Sequence, residues 1–444
     1  MATEHYAGYR WVQAPVSALA LWLIASPFTL GTESRAIALS DTISGVVALG
    51  LSIVALGRRR GLASWLIGLV GLWLLFAPLL FWAPDAAAYA NDTLVGALLI
   101  AFAFLIPMAM EMRGPEVPPG WSYNPSAWSQ RAPIIGLAFV SFLVAYHMAA
   151  YQLGHVRSVV EPFFVDGTAR VLTSDVSRAF PVSDAGLGAM TYLLEVLMGF
   201  MGDRRRWRTM PWMVAVFGIV VVPLGIVSIV LVMMQPMVVG EWCSPCLFTA
   251  ALMLLMIPLS LDEVVAMIQF VARKRREGHS LWRVFWLGGD LPDDTPRAEP
   301  VRPETWRPSG MLWGFTSSWT LWLTAALGVW LMAAPDALGI PRQSAAGDSD
   351  HLVGALIVVV AVISLAEVAR PARFLLVPLG AWLVVASWLL PGGTALTAAN
   401  SAAVGLVVAL LGLPLGRLRD HYGSFDRWVA WSPREGAHPA LSRQ

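Results

Sequence analysis

The sequence predicts an all-α polytopic membrane protein of about 12 transmembrane helices, arranged as three four-helix blocks. The first observation is composition. Of 444 residues, 57% are hydrophobic, only 13% are charged and 21 are Trp, with a mean hydropathy of +0.64, outside the range of soluble globular chains. The second is that apolar runs of roughly 15 to 26 residues recur along the chain, close to the ~20 that cross a ~30 Å hydrocarbon core as a helix. Strands of a β-barrel would be shorter and would alternate. The third is internal repetition.

Twelve spans are expected near 14–31, 42–57, 61–82, 93–110, 132–153, 185–202, 210–235, 243–261, 310–336, 352–366, 374–391 and 401–415. The first follows a polar start, MATEHYAGYR, with no cationic n-region and no clear cleavage site, so it reads as a retained span. An even number of spans puts both termini on one side. Of 30 Lys and Arg residues, 25 fall in connections assigned to that side: Arg10, the run Arg58 to Arg60, Arg113, Arg131, Arg204, Arg205, Arg206, Arg208, eight from Arg273 to Arg307, Arg370, Arg373 and five in the tail. Five fall on the other side, Arg35, Arg157, Arg170, Arg178 and Arg342. This is the positive-inside signature, so both termini are expected in the cytoplasm. The net charge of +1 hides that asymmetry. Anionic lipid facing a basic surface accounts for it, and nothing points to nucleic acid.

The first two pairs of spans repeat. LWLIASPFTLG (21–31) and LWLLFAPLLFW (72–82) align at an offset of 51 residues, as do SDTISG (40–45) and NDTLVG (91–96). A third copy places Trp330 and Pro335 at the spacing of Trp22 and Pro27, followed by SDHLVG at 349–354. In a fourth, worn copy Trp382 is followed by Ser387 in place of proline, and then by Gly405. The unit reads as a helix with proline near its outer end, a short turn, and Ser/Asn-Asp as N-cap of a second helix. Glycine one turn into that second helix suits close helix packing. This unit resembles the SPW repeat of bacterial membrane proteins, whose signature stands here as Ser26-Pro27-Phe28 and more loosely as Ala77-Pro78-Leu79. The resemblance covers roughly 14–110 and 310–415 and carries over no catalytic residues, so both blocks read as a structural or interaction scaffold. The expected organisation is a repeat block (1–112), a linker (113–131), a central four-span domain (132–272), a linker (273–309), a second repeat block (310–415) and a tail (416–444).

The central block holds the only two cysteines, in EWCSPCLFTA (241–250), at the start of the eighth span. Positions i and i+3 share a helix face. The positive end of the helix favours the thiolate of Cys243, making it the more reactive member, and Pro245 suits an early helix position. By the expected orientation the pair lies at the outer membrane surface, an oxidising compartment. A staple closing two intervening residues would stabilise little, so a redox pair is the favoured reading. Zinc would need two further ligands, for which only His147 and His155 lie nearby. Inert cysteines are the third alternative.

These residues, together with VLTSDVSRAFPVSDAGLGAMTYLLEVLMG (171–199), resemble the vitamin K epoxide reductase family of membrane quinone oxidoreductases. The match covers about 130–272. Ser174 corresponds to the family's serine on the outer helix, and Phe180-Pro181-Val182-Ser183 to its turn. The resemblance implies a four-helix bundle holding a quinone, menaquinone or ubiquinone, beside Cys243 and Cys246 as the catalytic pair. A loop cysteine pair would carry electrons from a thioredoxin-like partner. This chain departs from that pattern: VVEPFFVDGTARV (159–171) contains no cysteine. The remaining routes are an external dithiol protein acting directly at an accessible Cys243 sulfur, a site that meets small thiols, or a fold whose activity has decayed.

Glu195, near the middle of the sixth span, either faces the quinone pocket as a proton relay or is a carboxyl paired or protonated within the bundle. His147 is a proton donor to quinone or a satisfied interfacial histidine, and Trp242 is a ring near the quinone or part of an interfacial belt, the belt being favoured. SLDEVVAMIQFVARKRR (260–276) continues the eighth span as an amphipathic inner helix with a solvated end. No metal is expected. The reading is a thiol/disulfide oxidoreductase coupled to a lipid quinone in a bacterial cytoplasmic membrane. A non-catalytic scaffold on the same fold is its rival. A secondary transporter would show two six-span halves and midplane polar residues, which the 4 + 4 + 4 pattern counts against.

Overall fold

The computed structural model describes residues 11–56, 60–104, 112–292, 308–339 and 344–429. Among the described residues, twelve long helices answer the twelve expected spans. They are α1 (Gln13–Leu30), α2 (Arg35–Ala55), α3 (Arg60–Leu80), α4 (Ala86–Ala103), α5 (Trp128–Gln152), α6 (Asp184–Phe200), α7 (Pro211–Met234), α8 (Ser244–Arg276), α9 (Trp319–Ala337), α10 (Ala345–Ile363), α11 (Leu376–Leu389) and α12 (Ala395–Gly412). Eleven helices are long and apolar enough to cross a membrane. The twelfth, α6, has 17 residues, about 25 Å at 1.5 Å per residue. The chain is thus an all-α polytopic membrane protein. Arg10, Arg58, Arg59, Arg297, Arg302, Arg307, Arg342, Arg434 and Arg443, which enter the orientation argument, lie outside the described residues.

The described residues divide between two compact units. One draws on 1–110, 138–202 and 243–245, the other on 111–137, 203–242 and 246–444. In the first, α1 pairs with α2 and α3 with α4 around Val16, Ala20, Leu23, Ala48, Ile67, Leu74, Val95 and Leu99. The pairs close through glycine. A Cβ on Gly71 would stand 2.7 Å from the Gly96 carbonyl and one on Gly96 2.7 Å from the Gly71 carbonyl, so any side chain there forces the helices apart. The second unit repeats this with Gly328 against Gly354 (2.7 Å) and with a Cβ on Gly405 2.6 Å from the Gly380 carbonyl.

The Ser/Asn-Asp motif does not cap these helices. Each second helix begins earlier, behind Ser34, Asp85, Ser344 or Thr394. The Ser34, Ser344 and Thr394 side chains accept N–H bonds from the first turn, which takes over the role that Ser-Asp suggested locally. Ser40 and Asn91 instead accept the indole N–H of the other copy's tryptophan, Trp73 to Ser40 at 2.9 Å and Trp22 to Asn91 at 2.7 Å. The second block repeats the exchange, Trp330 to Asn400 at 3.1 Å and Trp382 to Ser349 at 3.1 Å. The neighbouring Asp41 and Asp92 are buried, and Asp350 accepts from Ser401 at 2.7 Å. The motif is a cross-brace between copies, each brace worth about 1 kcal/mol net.

In the second unit, Trp121, Tyr123, Trp207, Phe270, Trp313 and Tyr422 form a buried aromatic core, to which the first linker contributes Trp121 and Tyr123 and the tail Tyr422. Five of the arginines expected to face anionic lipid are internal instead: Arg131, Arg206, Arg208, Arg370 and Arg373 are each at most 1% exposed, while Arg113, Arg204, Arg275, Arg276 and Arg283 stay exposed. Arg208 donates to the carbonyls of Arg113, Gly114, Pro115 and Gly289. Arg373 donates to those of Leu411 and Gly412 at the end of α12, where a helix presents partial negative charge. α8 runs unbroken to Arg276 as expected, but Asp262 and Glu263 are buried rather than solvated. Tyr123 donates to Asp262 at 2.5 Å, and Arg206 grips Glu263 through Nε (2.6 Å) and Nη2 (2.5 Å). Burial first, then the Asp262 and Asp420 carboxylates, hold the Tyr123 hydroxyl well above its usual range, so it stays a donor.

Arg206→Met strands the Glu263 carboxylate in the core and should cost about 3–5 kcal/mol in unfolding of the detergent-solubilised chain. The double variant Arg206→Met/Glu263→Met should recover most of that loss. Equal destabilisation by the single and double variants would mean that the pair carries no coupling.

Candidate active site

Cys243 sits immediately before the first residue of α8, Ser244, and Cys246 lies within the first turn. The two are joined as a disulfide. Their exposure is unequal, and opposite to the expectation of an accessible Cys243 sulfur: Cys243 is 0% exposed, whereas Cys246 is half-buried.

What seals that helix start comes from the segment between α5 and α6. The carboxylate of Glu161 accepts the Ser244 backbone N–H at 3.1 Å and the Ser244 hydroxyl. It also accepts the backbone N–H groups of Phe163 (3.0 Å), Phe164 (3.1 Å) and Thr168 (3.1 Å), and the Thr168 hydroxyl. Burial alone would raise its pKa. The bonds from Ser244, Thr168 and the Phe163 N–H overcome that and lower it to about 2, as several N–H donors do for a carboxylate. The positive end of α8, expected to favour the Cys243 thiolate, is therefore occupied by a carboxylate.

Next to this, Gln152 at the end of α5 gathers the polar groups that start α6. Its amide donates to Asp184 at 2.5 Å and Ser177 at 2.8 Å and accepts from the Ser183 hydroxyl at 2.5 Å, while Ser183 caps α6 through Gly186. The first repeat block meets the same region. Trp82 donates to the Pro181 carbonyl at 3.3 Å, His155 Nε2 lies 2.8 Å from the Ala83 carbonyl, Tyr89 stacks on Tyr146 at 4.6 Å, and α6 packs on α3 and α4.

In the other unit, Trp242 is 6% exposed and so is not part of an interfacial belt. Its indole N–H donates to Asp336 at 3.3 Å and its ring meets His351 of α10 edge-on at 5.7 Å. Ser174 accepts from Ser177 N and donates to the Val171 carbonyl, so its hydroxyl is spent on capping the helix Asp175–Arg178. Glu195 is 0% exposed and neither carboxyl oxygen has a hydrogen-bond partner. His147 Nε2 is likewise buried without one. Glu161, Gln152, Asp336 and His351 were not read from the sequence. The one signal for Glu161 was a carboxylate in an apolar loop, and its partner Ser244 lies 83 residues away.

A disulfide at a membrane-helix start with Cys243 buried, together with an unpartnered buried carboxyl on another span, fits a membrane protein equipped for thiol chemistry. Residues 132–261 match the vitamin K epoxide reductase family, and residues 10–106 and 318–414 match the SPW repeat domain. No curated protein and no solved structure matches the chain.

After mild reduction, a small maleimide should label Cys246 about tenfold or more faster than Cys243, since rate follows access as well as thiolate fraction. Mass mapping of the labelled peptides checks this, and equal rates would refute the burial of Cys243.

Proposed function

We propose that this chain is a quinone-coupled thiol–disulfide oxidoreductase of a bacterial cytoplasmic membrane, with Cys243 and Cys246 as the redox pair at the outer face. The observation that carries the reading is the disulfide at the start of α8 inside the stretch that matches the vitamin K epoxide reductase family. The positive-inside count supports the orientation.

A lipid quinone, menaquinone or ubiquinone, would supply a two-electron, two-proton acceptor. The Glu195 carboxyl and His147 Nε2, both buried without a hydrogen-bond partner, are the polar groups that such a ligand would meet. In the proposed cycle the two thiols lose two electrons and two protons and close as the disulfide. A thiolate of an external thioredoxin-like dithiol protein then attacks one sulfur and expels the other cysteine as thiolate. The partner's second thiol resolves the mixed disulfide, so the partner is oxidised and the pair is reduced again. Glu195 holds the proton delivered to the acceptor. The flanking repeats act as braces, the first through Trp82 and Ala83, the second through Asp336 and His351. The scaffold reading draws on one observation, the cysteine-free stretch 159–171.

The test is differential thiol alkylation in membranes after mild reduction, with and without added quinone. Quinone should drive the pair to a disulfide, and Cys246→Ser should abolish the response. Thiols indifferent to quinone would leave the scaffold reading in possession. Glu195→Gln should slow quinone-driven oxidation about tenfold while leaving reduction of the disulfide by dithiothreitol unchanged.

A further inference from the structure

The segment between α5 and α6 lacks the cysteines that would connect Cys243 to a partner, yet it reaches the same place with a different group. One carboxylate gathers six donors there. Four belong to its own loop, the N–H groups of Phe163, Phe164 and Thr168 and the Thr168 hydroxyl, and two belong to Ser244. The loop ring and the helix start are therefore fastened through Glu161. Within the ring Val165 is held at φ 53, a conformation that a β-branched residue rarely adopts. Val160, Phe163 and Val165 are 64%, 80% and 84% exposed, so apolar packing contributes little to keeping the loop in place. Cys243, the residue directly before Ser244, is fully buried.

We propose that Glu161 is a lock, a positioning residue that fastens loop 161–168 over the start of α8 and must let go before a thiol can reach the Cys243 sulfur. The inference rests on the oxidoreductase reading for its purpose, but not for its physics. With the lock closed, a thiolate can approach only the half-buried Cys246 and would expel Cys243 as the leaving thiolate. With it open, attack at Cys243 forms the mixed disulfide there and expels Cys246. The lock also has an electrostatic face. A carboxylate beside the helix start raises the pKa of the Cys243 thiol once reduced, and its removal returns the first-turn N–H of Ser244 to the sulfur.

The experiment uses the full chain in membranes with Cys246→Ser, which leaves Cys243 as the single thiol, and follows alkylation by a small maleimide as a function of pH. Adding Glu161→Ala should raise the rate about tenfold or more and move the midpoint of the pH profile down by about one unit. Glu161→Gln keeps an acceptor oxygen and should move the midpoint with a smaller rise in rate. Thr168→Val, which loosens the ring but keeps the charge, should raise the rate and leave the midpoint in place. Rates within twofold of the parent for both Glu161→Ala and Thr168→Val overturn the lock. A rate rise without any midpoint shift in either Glu161 variant reduces Glu161 to a loop support and also overturns it. If Glu161→Ala does not fold, Glu161→Gln and Thr168→Val decide on the same criteria. Alkylation needs no quinone, so a failed lock and a failed oxidoreductase reading give different results.

Discussion

The closeness of helices inside each repeat block is the constraint on which the rest depends. Backbone approaches backbone at Gly71 and Gly96, at Gly328 and Gly354, and at Gly380 and Gly405. In a membrane no hydrophobic force separates a helix–helix contact from a helix–lipid contact, so close packing and polar cross-links must supply the association. The indole bridges provide the cross-links. Trp22, Trp73, Trp330 and Trp382 each reach into the partner copy and end on Asn91, Ser40, Asn400 and Ser349. A bond between two groups that would otherwise be unsatisfied in an apolar medium fixes the register of the helices.

Much of this was legible in the sequence, and for physical reasons. Span length and hydropathy respond to bilayer thickness, so the twelve helices lie close to where they are expected, and repetition marks the glycine on the second helix of each pair but not its partner on the first. The role of Ser40-Asp41 and its equivalents was not legible. Serine followed by aspartate looks like a cap at short range, and only the position of Ser34, Ser344 or Thr394 ahead of it reveals that capping is already taken. Positive charge can be counted along the sequence, but which arginines stay at the surface cannot. Arg206, Arg208, Arg370 and Arg373 lie among carbonyls and carboxylates contributed by segments far away in sequence, and no local pattern records such partners.

The same holds at the cysteine pair. Cys-Ser-Pro-Cys announces its chemistry, because two thiols at that spacing can close on each other. It does not announce its environment. Whether Cys243 is open or sealed depends on Glu161, and Glu161 reads as an ordinary loop carboxylate until Ser244 is brought to it. A carboxylate accepting N–H groups at a helix start is favourable wherever it occurs. Placed one residue from a cysteine, that ordinary capping interaction competes with the sulfur for the same positive end of the helix.

The repeats diverge where they are put to use. The residue after the repeat proline is Phe28 in the first copy and Leu79 in the second, but Asp336 in the third; the residue after the repeat aspartate is Thr42, then Thr93, then His351. Thr42 and Thr93 donate back to carbonyls of their own helices, at 2.8 Å in both cases, and Thr93 also meets the Tyr146 hydroxyl of α5. Asp336 and His351 are the two residues of the third copy that meet Trp242, one by hydrogen bond and one edge-on. In the second copy Leu79 occupies the space where a Cβ on Gly186 would stand, at the start of α6. A duplicated helical pair whose internal bracing is complete can thus spend its remaining positions on a neighbour. In the third copy those positions changed from apolar and threonine side chains to an acid and a histidine, and both converge on the tryptophan that directly precedes Cys243.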